Sequence, residues 1–174
     1  TDNAWEATSH CMQVYGGHGY IAEWGMEQYV RDSRINMIYE GTNTIQSLDL
    51  LGRKVLGDGG AALNALLDEL SAGLNAQAPH EAHVLKLFAQ LRDITQQATQ
   101  VQTRPDGSVT LSWIAGDYLR VATLALLAWS WTRIEAAQPT DAARWHAPAA
   151  ALRAWVLPEF EMRLNIIRAQ FKPA

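Results

Sequence analysis

Glycine and proline cut this 174-residue chain into segments, and each segment between the cuts carries helical periodicity. The cuts are Gly16-Gly17-His18-Gly19, Gly57-Asp58-Gly59-Gly60, Pro79, Arg104-Pro105-Asp106-Gly107 and Pro139-Thr140-Asp141. Glycine tolerates the left-handed backbone that ends helices, and proline withholds a donor from the turn before it. Val, Ile and Thr never alternate with polar residues over the length of a strand, and Asn-Gly hairpin signals are missing. The fold class is therefore all-α.

Helices are expected over 3–15, 25–38, 42–56, 61–76, 81–103, 108–137 and 141–170. Pro158 should kink or restart the last of them, and Asp141 should cap its start after the stop at Pro139. In the third, Ile45, Leu48, Leu51 and Val55 recur at helical spacing as a buried stripe. A domain boundary is placed at Gly57–Gly60, dividing residues 1–57 from 60–174. The second part reads as four helices with short connections, hence an antiparallel four-helix bundle. Its core candidates are Leu63, Leu66, Leu67, Leu70, Leu87, Leu91, Ile94, Ile114, Leu124, Trp131, Leu152, Leu164 and Ile167.

Composition narrows the function classes. Hydrophobic residues at 48% and charged residues at 18% suit a globular chain. A net charge of −4, with the basic residues scattered, argues against nucleic-acid binding, which needs clustered Lys and Arg. The single cysteine, Cys11, excludes an internal disulfide and points to a reducing, cytoplasmic setting. No basic-then-apolar leader is visible at the N-terminus. The most apolar window, Leu119 to Trp131, is shorter than the roughly 20 residues a bilayer requires. Arg120 interrupts it and Arg133 closes it, so it reads as a core helix and no membrane span is expected.

Chemistry concentrates at Ile38-Tyr39-Glu40-Gly41-Thr42-Asn43-Thr44-Ile45-Gln46. Read locally, the residues leave two possibilities open. Glu40 can be helix punctuation, with Gly41 ending one helix and Thr42 or Asn43 capping the next. Alternatively, Glu40 is a general base: a carboxylate desolvated by apolar neighbours such as Ile38 and Tyr39 is a stronger base, and Gly41 lets the backbone approach a ligand. The Gly16–Gly19 turn is not a dinucleotide fingerprint, because Ala22 takes the third glycine position and no strand precedes it. Arg31-Asp32 reads as a scaffold pair. His80-Glu81-Ala82-His83 has the wrong spacing for a zinc-protease motif and reads as a solvated helix start, so no metal is expected. Trp113, Trp129, Trp131, Trp145 and Trp155 read as core or interface.

Gln13, Gly16-Gly17-x-Gly19-Tyr20, Arg31-Asp32 and Ile38-Tyr39-Glu40-Gly41-Thr42 together resemble, in order and spacing, the C-terminal segment of the acyl-CoA dehydrogenase family. The resemblance implies the end of that family's C-terminal helical bundle in residues 1–57. Residues 60–174 are similar to the additional helical domain of an extended group that includes 3-methylmercaptopropionyl-CoA dehydrogenases. The resemblance implies FAD as cofactor, an acyl-CoA substrate and Glu40 as the base that removes the α-proton. It further implies an electron-transfer flavoprotein as acceptor and a homo-oligomer. Gln13, Gly16 and Gly17 match the stretch that contacts FAD of the neighbouring subunit, and Thr42 and Thr44 match positions that bind FAD of the same subunit. Relatives often carry Gln or Glu where this chain has Thr44. The portions that supply the flavin pocket are absent from these residues, so the chain alone is expected to be inactive. An acyl-CoA oxidase and a helical interaction or oligomerisation module are the competing readings.

Overall fold

A computed structural model describes residues 1–137 and 140–172, and among them every regular element is helical. The order is α1 (Asp2–Val14), α2 (Gly17–Tyr20), α3 (Met26–Ile35), α4 (Asn43–Leu48), α5 (Ala61–Ser71), α6 (Pro79–Gln102), α7 (Gly107–Ala136), α8 (Ala142–Ala151) and α9 (Pro158–Gln170). The protein is all-α. It divides into two compact units, Thr1–Gln46 and Ser47–Ala174. That packing division precedes the boundary expected at Gly57–Gly60. Leu51, Val55 and Leu56 join the core of the second unit, so the residues just before the glycine break belong to it by packing.

In the first unit α1 packs against α3, and the Gly-rich turn bridges them. The turn works through close approach. Gly19 is buried, and a Cβ there would lie 2.5 Å from the Met12 carbonyl oxygen and 2.8 Å from Tyr15 Cβ. Any other residue would push α2 off the end of α1. The unit otherwise lacks a dry interior: neither α1 nor α3 buries a residue, and Val14 is 86% and Tyr20 77% exposed. A unit this short cannot enclose a core unaided. Ile45, expected in a buried stripe, is exposed for the same reason.

The second unit is a bundle. α6, α7 and α9 supply most of its core, with Leu67 from α5 and Leu157 from the chain just before α9. Among the expected core residues Leu67, Leu87, Leu91, Ile94, Ile114, Leu124, Leu164 and Ile167 are buried, and Leu63, Leu70 and Leu152 pack against them. Leu66 is instead exposed, and Trp131 is half-buried, its ring 6.1 Å from that of Trp145. Phe88, Tyr118 and Phe160 complete the interior. Trp129 is tethered by its Nε1–H to the Leu70 carbonyl at 3.0 Å, whereas Trp113 and Trp155 face solvent.

Several expected helix ends shift for identifiable reasons. Pro79 opens α6 rather than separating it from its neighbour, because the first helical turn needs no proline N–H. Pro158 likewise restarts the chain as α9. Pro139 lies outside the described residues, but Asp141 caps α8 by accepting the Arg144 N–H. After α4 the hydrogen bonds widen to a π-helix at Asp49–Val55, and after α8 they do so again at Leu152–Val156. α7 has 30 residues and exceeds the apolar window read from sequence; by length and composition it would be able to cross a membrane. Here its face of Ile114, Tyr118, Val121, Leu124 and Ala125 is the bundle core. Its flank carries ion pairs, Asp117 with Arg163 and Arg120 with Glu159.

Candidate functional site

α3 ends at Ile35, and loose turns carry the chain to Tyr39, whose N–H reaches back to the Ile35 carbonyl at 3.1 Å. Glu40 then adopts φ +54°, and it is the one non-glycine residue with positive φ among those described. Gly41 follows at φ +90°. Two left-handed residues in succession turn the chain sharply into α4. Thr42 caps that helix, its Oγ1 accepting the Ile45 N–H at 3.4 Å, while the Thr42 carbonyl accepts the Gln46 N–H at 3.0 Å.

The left-handed backbone at Glu40 bears on the choice between punctuation and base. A Cβ clashes with the backbone in this region, so helix-ending positions that need it select glycine or asparagine. Glutamate has no local reason to be there. Residues held in such sparsely populated conformations, at a cost of about 1–3 kcal/mol, concentrate at functional sites.

The surroundings differ from the expectation in one respect. Ile38 and Tyr39 were expected to desolvate Glu40. In this unit both are about half exposed, and the Glu40 side chain faces solvent. Within residues 1–46 no apolar wall covers the carboxylate.

Two hydrogen bonds tie down the turn. The Gln46 side-chain amide donates to the Glu40 carbonyl at 3.1 Å. Asn43 accepts from Thr1 Oγ1 at 2.8 Å and donates to Asp2 Oδ1 at 2.5 Å, fastening the start of α4 to the start of α1. Thr42 and Thr44 are exposed on the first turn of α4. Gln13 is exposed at the end of α1, and Gly16 and Gly17 have open space where a side chain would stand. The two groups of residues lie on different elements.

Arg31 and Asp32 line an open groove of about 670 Å³ with Trp5, Arg34, Ile35 and Ile38. Asp32 accepts from Gln28, one turn earlier on α3, at 2.7 Å. The Arg34 guanidinium stacks 5.7 Å from the Trp5 ring centroid and links α3 to α1. His18 is exposed, its ring edge-on to Trp24 at 5.0 Å. His80 and His83 stand on the first turns of α6, and no group of three His, Cys, Asp or Glu among the described residues is placed to hold a metal ion. Sequence reasoning missed Gln46 and named Asn43 only as a possible cap, not as the link to α1. The signal for Asn43 was its place beside the cap, but nothing in the spacing marked Gln46 as reaching backwards.

Residues 1–56 match the family described as the acyl-CoA dehydrogenase C-terminal domain, so this part of the chain has the helical sequence pattern of that domain. The chain is 49% identical over 72 residues to 3-methylmercaptopropionyl-CoA dehydrogenase of Ruegeria pomeroyi, a stretch covering 41% of this chain and 12% of that protein. It is 38% identical over 63 residues to the broad-specificity linear acyl-CoA dehydrogenase of Mycobacterium tuberculosis, covering 36% and 10%. It is 38% identical over 73 residues to the mitochondrial very long-chain specific acyl-CoA dehydrogenase of Rattus norvegicus, covering 38% and 11%. The matched part therefore spans about a tenth of the length of these relatives.

Proposed function

We propose that this chain is the C-terminal part of an FAD-dependent acyl-CoA dehydrogenase, and that Glu40 removes the α-proton of a CoA thioester. The observation that carries the reading is the left-handed backbone at Glu40 inside a matched family segment. Backbone energetics alone favour glycine there, so the carboxylate is retained for its chemistry.

The α-proton of a thioester is weakly acidic, and its removal needs a base held in line with the departing β-hydride. Glu40 takes the proton on a carboxylate oxygen. Bound FAD would supply the acceptor for the β-hydride, so that loss of both hydrogens would leave a trans-2-enoyl-CoA. The residues present suit the phosphate end of that cofactor. Thr42 and Thr44 offer exposed hydroxyls at the start of α4, whose positive dipole end favours a pyrophosphate. Gly16 and Gly17 leave the room that a close-lying ligand requires, with Gln13 beside them. In this reading Thr42 and Thr44 serve the flavin of their own subunit, and Gln13, Gly16 and Gly17 that of a neighbour in a homo-oligomer. The exposed aromatic surface of residues 1–46 supports such an assembly, since large apolar patches mark interfaces. Electrons then pass to an electron-transfer flavoprotein, and the single exposed thiol of Cys11 suits a cytoplasmic protein.

The test uses the full-length flavoprotein that carries this chain. Glu40→Gln should abolish α-proton exchange with solvent while the flavin stays bound, and retained exchange would move the base elsewhere. The 174-residue chain supplied with FAD and an acyl-CoA should not reduce an artificial electron acceptor.

A further inference from the structure

We infer that Gln46 is a positioning residue for the base: its side-chain amide clamps the Glu40–Gly41 peptide and so aims the Glu40 carboxylate. The inference rests on the reading of Glu40 as base. Glu40 and Gly41 stand at φ +54° and +90°, a pair of conformations with no regular hydrogen-bond ladder to hold them. The Glu40 carbonyl accepts the Gln46 Nε2–H at 3.1 Å.

The geometry at Gly41 points the same way. A Cβ built on Gly41 would lie 3.1 Å from Gln46 Nε2 and 3.4 Å from Ile45 Cγ2. The Gln46 amide therefore lies across both halves of this peptide, against its oxygen and against the face that glycine leaves bare. Gln46 is itself fixed, since its backbone N–H closes the first turn of α4 on the Thr42 carbonyl. The side chain thus transmits the position of α4 to the peptide that sets where the Glu40 Cβ points. Asn43 fastens the same turn of α4 to α1 through Thr1 and Asp2, so the clamp has a seat. Without the amide, the peptide is free to rotate and Glu40 to relax toward an ordinary backbone.

The experiment compares Gln46→Leu, which keeps the bulk and removes the donor, with Gln46→Lys, which restores a donor of similar reach, in the full-length flavoprotein. Misplacing a reacting group by about 1 Å costs on the order of 100-fold in rate. Gln46→Leu should lower both kcat and α-proton exchange by about 10- to 100-fold, with KM and flavin content close to the parent, and Gln46→Lys should recover much of the loss. Unchanged exchange in Gln46→Leu overturns the inference, as does a raised KM with kcat intact. Loss of flavin from both variants also overturns it, since Gln46 would then serve the cofactor. Glu40→Gln run in parallel separates the two readings. If Glu40→Gln still exchanges protons, the base assignment fails; if it does not, and Gln46→Leu behaves as the parent, only the clamp fails.

Discussion

The Tyr118 hydroxyl lies 2.6 Å from Thr95 Oγ1 in the middle of the bundle, and Thr95 donates in turn to the Leu91 carbonyl at 2.7 Å. Both residues are almost wholly buried. With the Thr95 proton committed to Leu91, Tyr118 is the donor between the two hydroxyls. These bonds join α7 to α6 through a polar contact in a largely apolar interior.

The two ends of this bond should not respond equally to mutation. Tyr118→Phe leaves Thr95 still bonded to Leu91 and should cost about 1 kcal/mol. Thr95→Val strands a buried phenol and should cost about 1–3 kcal/mol. The double variant should be less damaged than the sum, which urea unfolding of the four proteins would read directly. The pH dependence has a definite sign. Burial pushes the Tyr118 hydroxyl up to about 12, against 10.0 when unfolded. The folded state thus keeps a proton that the unfolded state loses between these values. Stability contributed by Tyr118 is complete below pH 10 and falls as pH rises toward 12, and Tyr118→Phe should flatten that alkaline limb.

At the acid end Glu159 is one of several carboxylates held low by their partners, with Asp93 and Glu135 among the others. The Arg120 guanidinium beside it holds its carboxyl below the ordinary value of 4.5, opposed by partial burial and helped by Arg163. Arg120 Nη2 donates to one carboxylate oxygen at 2.5 Å, and Arg163 Nε donates to the other at 3.0 Å. A depressed carboxyl stabilises the fold above its unfolded value and loses that effect as pH falls through the folded one. Glu159→Gln should therefore destabilise the bundle at neutral pH by about 1–2 kcal/mol. Denaturant melts at a series of pH values should show the variant and parent converging in acid.

Glu40→Gly separates stability from chemistry. Glycine enters the left-handed region without the Cβ clash, so the variant should relieve about 1 kcal/mol of local strain. Hydrogen exchange over residues 36–46 should become slower or stay unchanged. The same substitution in the full-length flavoprotein should remove α-proton exchange altogether. A large loss of local protection would mean that the carboxylate holds the turn instead.

Most of the helical layout was legible because glycine and proline act through their own backbone, whatever surrounds them. The cuts at Gly57–Gly60 and Arg104–Gly107 fall where elements end. The π turns at Asp49–Val55 and Leu152–Val156 were not legible, since one hydrogen-bond register differs from another only by how the helix is packed. Core membership was clear where a stripe was wide, as at Leu87, Leu91 and Ile94. It failed at Leu66, which sits beside buried Leu67 on a helix that turns a single narrow face inward. At the candidate site the motif located Glu40 but not its conformation, because the sequence places a residue that backbone preference would exclude. The expected desolvation of Glu40 by Ile38 and Tyr39 is not found within their unit, because adjacency in sequence does not supply burial.

The unusual backbone at position 40 also makes a record of selection. Glutamate and glycine codons differ by a single base, and the turn itself is better served by glycine. A lineage relieved of the need for a carboxylate would drift to glycine there without harm to folding. On the reading proposed for Glu40, the residue found at this point in a related gene marks whether its product keeps its base at this position.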